Sequence, residues 1–399
     1  MRVFMFSWEY PPHIVGGLGK HMMELVPALV GEGMELHVVT PRLHGGAYEE
    51  GWQGLFVHRV DTPAMHEYDF FSFVHETNRC ILERAEQLLQ EVGRPEILHA
   101  HDWLVARVGA EFKHRHRIPL VATVHATERG RGRGHLSGEY SRAIHGTEWW
   151  LTYEAWRVIC ASQYMADQIK GFFATPADKI DLVPNGVDAS RFQALEGIDL
   201  QDFRSDFAAE DEKIIFYVGR IVEEKGVHVL VEAVPPVLAR YEKVKFVVAG
   251  TGVILDALRH RAWELNVYDR IFFPGFIADE DRDRLYKVAD VAIFPSLYEP
   301  FGIVALEAMV ARCPVVVSET GGLREVVRHG ETGILVHPGD PDSLAWGILH
   351  TLENPAWAHQ RVENAYNEVQ RRYNWQTIAR QTINVYERVF AEYEESDWV

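Results

Sequence analysis

The chain has 399 residues, 47% hydrophobic and 25% charged, an ordinary globular composition that is too long for one core and so predicts two domains. A formal net charge of −18 argues against nucleic acid as a partner, which normally shows as a basic excess. Residues 1–190 carry −6 and the remainder −12, so an anion site in the second half needs a local basic pocket. Three scattered cysteines, Cys80, Cys160 and Cys313, offer neither a disulfide framework nor a zinc spacing.

The opening run Arg2–Ser7 is too short for a signal h-region or a membrane span and meets Glu9 and Pro11-Pro12 at once, so it reads as a buried first strand in a soluble, cytoplasmic protein. Short Val/Ile/Phe runs then alternate with amphipathic stretches, the pattern of parallel α/β units. The first set of strands is Val3–Ser7, Leu36–Thr40, Ile97–His99, Leu120–Val124, Arg157–Ala161 and Ile180–Val183. After the first of them, Met22, Leu25, Val26, Leu29 and Val30 keep helical spacing. A second set starts afresh at Ile214–Val218 and continues through Lys245–Ala249, Ile271–Phe273, Val291–Phe294, Val315–Val317 and Gly333–Val336. The turn-rich Pro184–Asp188 and a polar stretch to Lys213 separate the sets, so the boundary is placed near residue 190. The expected fold is two doubly wound Rossmann-like halves, 1–190 and 191–375, facing a central cleft. A last amphipathic helix, about 376–399, is expected to pack on the first half.

Several segments carry chemistry. Strand Val3–Ser7 leads to Glu9 and then Gly16-Gly17-Leu18-Gly19 before a helix, where glycines let the backbone approach a bound group. The string is neither Gly-x-Gly-x-x-Gly nor a Walker A, so a nicotinamide site gains little support. His99, Ala100, His101 and Asp102 end one strand, and His125 ends the next. Consecutive residues on a strand end point alternately to opposite faces, so a zinc cluster of His99, His101 and Asp102 is not expected. Arg129–His135 alternates Arg and Gly and reads as a flexible cationic loop, either solvated or a lid or acceptor clamp. Lys113–Arg117 is a second basic patch, either a helix end or a weak membrane contact. Glu148–Glu154 reads as helix with its aromatics in the core.

In the second half, Arg220 and Lys225 flank a strand-to-helix loop and could converge on one anion, although either alone also suits a surface cap. The most informative segment is Phe294–Met309. A strand ends, a loop carrying Glu299 and Pro300 follows, and a helix starts near Phe301 with its free amides and positive dipole end outward. At ~1.5 Å rise per residue, Glu307 stands roughly 7–8 Å up that helix from Gly302, too far to share a proton with Glu299. Such carboxylates suit hydroxyl recognition at two rings, or else an N-capped helix with one solvated Glu. Asp281-Arg282-Asp283 and Asp340-Pro341-Asp342 read as helix N-terminal caps rather than metal-binding strings.

Together Glu299…Glu307, Gly219-Arg220…Lys225-Gly226, Gly16-Gly17 and the His101-Asp102 and His125 strand ends resemble the retaining glycosyltransferases of family four, with the GT-B fold, in their glycogen-synthase-like subgroup. The resemblance covers nearly the whole chain, with its motifs in order. It implies that Glu299 holds the donor hexose and Glu307 the ribose, while amides of Phe301, Gly302, Ile303 and Val304 contact sugar and diphosphate. Arg220 and Lys225 then neutralise the leaving diphosphate, and Gly16 and Gly17 lie over the donor's distal phosphate. It assigns His125 to the C6 hydroxyl and reaction centre, and Asp102 to the acceptor side. We add Phe276 to the donor set and Glu9 to the acceptor set. The related glycogen and starch synthases carry Lys two residues before the first glycine; Ile14 stands there, which turns the expected donor from ADP-glucose to UDP-glucose. The implied enzyme is a metal-independent hexosyltransferase without a cofactor, acting on an oligosaccharide, glucan, exopolysaccharide or lipid-linked acceptor. The alternatives are an ADP-glucose-dependent synthase, a GT-B epimerase of UDP-N-acetylhexosamine, a pyridoxal-phosphate phosphorylase, or a silent binding protein.

Overall fold

The structure, a computed structural model, describes residues 1–398. It divides into two units: Met1–Gly186 together with the closing helix from Trp375, and Val187–Asn374.

In the first unit eight strands form one sheet: β1 (Arg2–Phe6), β2 (Glu35–Pro41), β3 (Glu49–Trp52), β4 (Leu55–Val60), β5 (Ile97–His101), β6 (Leu120–Thr123), β7 (Arg157–Cys160) and β8 (Ile180–Leu182). Their order is β3-β4-β2-β1-β5-β6-β7-β8, with only the β3–β4 hairpin antiparallel. Strand alternation sorts the side chains into two cores. Val3, Met5, Leu36, Val38, Ile97 and Val121 pack on one face, with helix Gly17–Gly31 and the closing helix Trp375–Glu394. Phe4, Phe6, Leu98, Ala100, Leu120 and Val158 pack on the other, under helices Phe70–Val92, Ala106–His116 and Gln163–Phe173. The closing helix buries Trp375, Ile378, Ala379, Val385, Tyr386 and Val389, and its Tyr386 hydroxyl meets His99 Nδ1 at 2.6 Å inside the unit.

The second unit holds a six-stranded, wholly parallel sheet: β9 (Lys213–Val218), β10 (Val244–Ala249), β11 (Ile271–Gly275), β12 (Val291–Phe294), β13 (Val315–Ser318) and β14 (Ile334–Val336), in the order β11-β10-β9-β12-β13-β14. Its central strands are buried nearly end to end, as a parallel sheet covered on both faces requires. Both units are thus Rossmann-like α/β layers of the GT-B class.

The structure corrects three expectations. Strands β3 and β4 went unread: β3 is exposed and polar, and its partner is set by a tight turn at Gln53 and Gly54, both at positive φ. The polar stretch after Val187 is not a free linker, since Phe192 is buried with its ring 6.3 Å from Tyr286. The aromatics of helix Gly138–Glu154 are not chiefly core: Trp149 and Tyr153 stack on each other at the surface, while Glu148 is buried with Ile144, Leu151 and Thr152. Among the described residues no helix is long and apolar enough to cross a membrane.

Replacing Tyr386 by Phe strips the buried His99 of its hydroxyl partner. Urea unfolding of Tyr386→Phe should show a loss of about 1–3 kcal/mol, the cost of an unsatisfied buried polar group. An unchanged midpoint would mean that the Tyr386–His99 bond adds nothing to the hold of the closing helix.

Candidate functional site

Parallel pairing of β9 with β12 sets the loops that leave their C-terminal ends side by side. The backbone then ties them. Leu297 and Tyr298 donate their N–H groups to the Glu224 carbonyl at 2.8 and 3.1 Å. Gly226, at φ +68°, passes so close to the other loop that a Cβ there would lie 1.9 Å from the Pro295 carbonyl oxygen. Only glycine fits.

This contact delivers Lys225 to Glu299. Lys225 Nζ donates to Glu299 Oε2 at 2.7 Å, and Ser296 Oγ donates to the same oxygen at 3.3 Å. The pair is largely sheltered, with side chains 20% and 9% exposed, so its attraction is screened less than that of a surface bridge. Arg220 begins the same loop. Its carbonyl accepts the Tyr217 hydroxyl at 3.0 Å, and its guanidinium, 47% exposed, reaches Glu224 at 3.2 Å. Arg220 and Lys225 are therefore anchored on one loop, each matched by a carboxylate.

Glu299 also accepts Gly322 N–H on its carbonyl at 2.9 Å, which fixes the loop ahead of the helix Ile303–Val310. That helix begins at Gly302, φ +108°, where a Cβ would strike Leu323 at 2.6 Å. Its first turn has no side-chain cap and no acidic residue, so the amides of Ile303 and Val304 face an anion-ready end beside the buried Phe301.

Glu307 lies deeper in the helix and is 1% exposed. Arg191 and Arg282 approach its Oε1 at 3.5 and 3.9 Å, and the Tyr286 hydroxyl donates to Oε2 at 3.4 Å. Asp283 completes the group, 2.7 Å from Arg282. The sequence reading missed these partners because they come from elements more than fifteen residues away, with no local spacing to announce them. Asp283 is accordingly not a helix cap but a member of this buried network. Asp340 is a cap, accepting from Asp342 and Ser343 N–H groups at 3.0 Å. Phe276 is 80% exposed after edge strand β11, with β10 standing between it and β9.

In the first unit, Glu9 has a task of its own. Its Oε2 accepts the N–H groups of Val15, Gly16 and Gly19 at 2.8, 3.1 and 3.1 Å, so a carboxylate already shapes the Gly16-Gly17 loop at the start of helix Gly17–Gly31. The acceptor role expected of Glu9 has no support in that arrangement.

Asp102 and His125 end neighbouring strands and touch: Asp102 Oδ1 accepts His125 N–H at 2.7 Å. Asp102 is buried and held at φ +61°, a conformation costly for a residue with a Cβ. Burial pushes its carboxyl up to about 6, opposed by the backbone amides of His125 and Ala126 and by Arg131. Nearby Glu148, only 2% exposed, accepts Glu128 N–H at 2.8 Å, and burial pushes it up to about 8, with Asp102 adding to the rise. The sequence offered no sign of Glu148, which sits among aromatics on a helix read as core.

His125 Nε2 lies 3.1 Å from His101 Nδ1, and burial holds the His125 imidazole down at about 3. The grouping of His99, His101 and Asp102 does not form. Both His99 nitrogens are engaged, by Tyr386 and Thr123. Instead His21 joins His101 and His125.

The two basic segments change character. Arg129–His135 is not an unstructured loop: Glu128–Arg131 is a helical turn capped by Thr127, and Arg129 lies over the Phe172 ring at 4.9 Å. The cations at 113–116 are matched by acids, Lys113 and His114 by Glu154, Arg115 by Glu86 and Glu111, and His116 by Glu86. That leaves little free positive charge for a membrane surface.

The chain matches the Glycosyltransferase Family 4 domain over residues 15–191 and the Glycosyl transferases group 1 domain over 199–368. It is 40% identical to an uncharacterized glycosyltransferase of Methanocaldococcus jannaschii over 97% of this chain and 98% of that one. It is 35% identical to a glycogen synthase of Mycobacterium tuberculosis, covering 97% and 94%. Among solved structures, sucrose-phosphate synthase from Thermosynechococcus elongatus superposes with a TM-score of 0.83 at 24% identity, covering 98% of this chain and 99% of that one.

The raised Glu148 carboxyl has a sign that can be checked. The folded protein holds this proton well above the ordinary carboxyl range, so the stabilisation is full below about 4.5 and is lost as pH rises toward 8. Glu148→Gln keeps an acceptor for Glu128 N–H and carries no charge. Unfolding free energies at pH 5 and 8 should fall in the native chain by on the order of a few kcal/mol more than in the variant. Equal slopes would place an ionised Glu148 in the folded state.

Proposed function

The chain belongs to glycosyltransferase family four, and from that premise we propose that it is a retaining hexosyltransferase moving glucose from UDP-glucose to a carbohydrate acceptor. The observation that carries the reading is the Lys225–Glu299 pair beside the uncapped helix start at Gly302. It puts a cation, a hydroxyl-binding carboxylate and a set of free amides on adjoining loops, the three things a sugar diphosphate asks for.

In the proposed reaction the bond between the sugar's anomeric carbon and the diphosphate oxygen breaks while the acceptor hydroxyl bonds to that carbon from the same face. The hydroxyl proton passes to the departing phosphate oxygen, leaving nucleoside diphosphate and a glycoside. The anomeric centre takes on oxocarbenium character, as in glycoside hydrolysis. Negative charge grows on the diphosphate, and Lys225, Arg220 and the Ile303 and Val304 amides are the groups that would stabilise it. Glu299, released from Lys225, would take the hexose hydroxyls, and Glu307, held in its arginine network, the ribose. On the first unit, Gly16 and Gly17 would lie against the distal phosphate, neutral His125 at the C6 hydroxyl, and Asp102 on the acceptor side. Glu9 is better placed as the clamp that shapes the glycine loop.

We expect no metal in the transfer step. Asp283 is engaged by Arg282, and Asp340 caps a helix, so neither Asp-x-Asp string is free to hold a nucleotide-bound cation. Ile14 favours a uridine donor, whereas the likeness to glycogen synthase favours ADP-glucose and a growing glucan as the second reading. An oligosaccharide, an exopolysaccharide or a lipid-linked acceptor fits the first, in a cytoplasmic setting.

Lys225→Ala should lower transfer by about 10²–10³-fold with a native circular dichroism spectrum at the assay temperature, while its melting temperature falls because Glu299 loses its partner. Turnover near the native rate would remove the leaving-group argument. Incubation with UDP-, ADP- and GDP-hexoses, followed by release of each diphosphate, tests the donor; release of ADP alone would replace UDP-glucose with the second reading.

A further inference from the structure

We propose that His21, His101 and His125 form a binding site for a first-row transition-metal dication of the zinc kind. One ring nitrogen from each lies within 4.8 Å of the others. The three come from separate elements: His21 from helix Gly17–Gly31, His101 from the end of β5, and His125 from just beyond β6. Their ring centroids are 4.7, 5.4 and 5.5 Å apart.

The orientation of the rings is what points to a ligand. His21 Nδ1 is 2.7 Å from the Asn185 side-chain oxygen, so the ring proton sits on Nδ1 and the Nε2 lone pair is left bare. That Nε2 is buried with no protein partner, and His101 offers its Nδ1, the atom that faces His125 Nε2. A fixed N–H on one side of an imidazole and an open lone pair on the other is how proteins present metal-ligating histidines. The remaining neighbour, His99, is excluded because both its nitrogens are taken.

The chemistry selects the ion. Burial keeps these imidazoles uncharged, which is the ligating form, and no proton has to be displaced from an imidazolium. Three neutral nitrogens suit zinc, cobalt, nickel or copper and do not suit magnesium or calcium, which require oxygen. Three histidines with a fourth position open to water are a familiar zinc arrangement. In a tetrahedral site with Zn–N near 2.0–2.1 Å, ligand nitrogens stand about 3.3 Å apart. His101 Nδ1 and His125 Nε2, at 3.1 Å, already match. The widest separation has to close by about 1.5 Å, within reach of a side-chain rotation, and the His101–His125 hydrogen bond is exchanged for two metal bonds.

Metal bound there would occupy His125 Nε2 and so inhibit transfer rather than serve it. Only this inhibition rests on the glycosyltransferase reading; the site stands on its own geometry.

The test uses the untagged full-length chain after chelator treatment. Titration with Co²⁺ should produce the visible d–d bands of a nitrogen-ligated, low-coordinate ion, saturating at one equivalent and bleached by Zn²⁺. In ¹⁵N-imidazole spectra of the native chain, Zn²⁺ should shift the ring nitrogens of three histidines and leave His99 in place. His21→Leu should weaken binding by about 100-fold or more, and Asn185→Ala, which removes only the orienting acceptor, by about 10–100-fold. The second variant and the spectra serve if the first fails to fold. No visible band at stoichiometric cobalt, unchanged affinity in Asn185→Ala, or imidazole shifts at other histidines would each overturn the site. Inhibition by Zn²⁺ that tracks occupancy and is reversed by chelator supports both ideas. A filled site with undiminished transfer would uphold the metal and overturn the part given to His125.

Discussion

The second unit depends on one contact: the Glu224 carbonyl taking the amides of Leu297 and Tyr298, with Gly226 pressed against Pro295. Two loops from adjacent parallel strands are thereby locked together, and Lys225 and Glu299 follow as a consequence. A sheltered charge left alone is expensive, so each of the two is the condition for the other's presence. The same loops end at a helix whose first amides have no cap. Charge and counter-charge are gathered across 74 residues of chain, beside the donors that follow Glu299.

The first unit uses the same parallel layout and reaches the opposite electrostatic condition. At its strand ends Asp102 and Glu148 are pushed toward their protonated forms, and His21, His101 and His125 are kept uncharged, in every case chiefly by burial. The edge is polar but nearly neutral, with protons and lone pairs placed by hydrogen bonds to Asn185, His125 N–H and Glu128 N–H. In the second unit the polar groups are paired base to acid: Lys225 with Glu299, Arg220 with Glu224, Arg191 and Arg282 with Glu307 and Asp283. One unit thus presents matched opposite charges, and the other a polar edge kept nearly neutral by burial.

Much of this was legible in the residues because it is local. Val/Ile/Phe runs of strand length marked the buried parallel strands other than β4, since a strand covered on both faces is largely apolar. Glycines at 219, 226 and 302 marked sharp turns, and the spacing of Ile378, Val385, Tyr386 and Val389 marked the closing helix. Strand β3 was invisible because it is an exposed edge strand, and β4 because its buried run is broken by the polar His58 and Arg59. The Arg-Gly segment misled because composition says nothing of a capping threonine or of the Phe172 ring beneath Arg129.

By itself, then, the sequence determined the two α/β sets, the order of the motifs and the membership of a glycosyltransferase family, because periodicity and short motifs are written within a few turns of chain. Only the tertiary structure decided which groups meet. Glu148 near Asp102, Asn185 turning His21, and Arg191 and Arg282 around Glu307 are all contacts across long stretches of chain. The same holds for the charge each group carries. Protonation is set by how much water the fold removes and by which partner replaces it, and neither is a property of residue order.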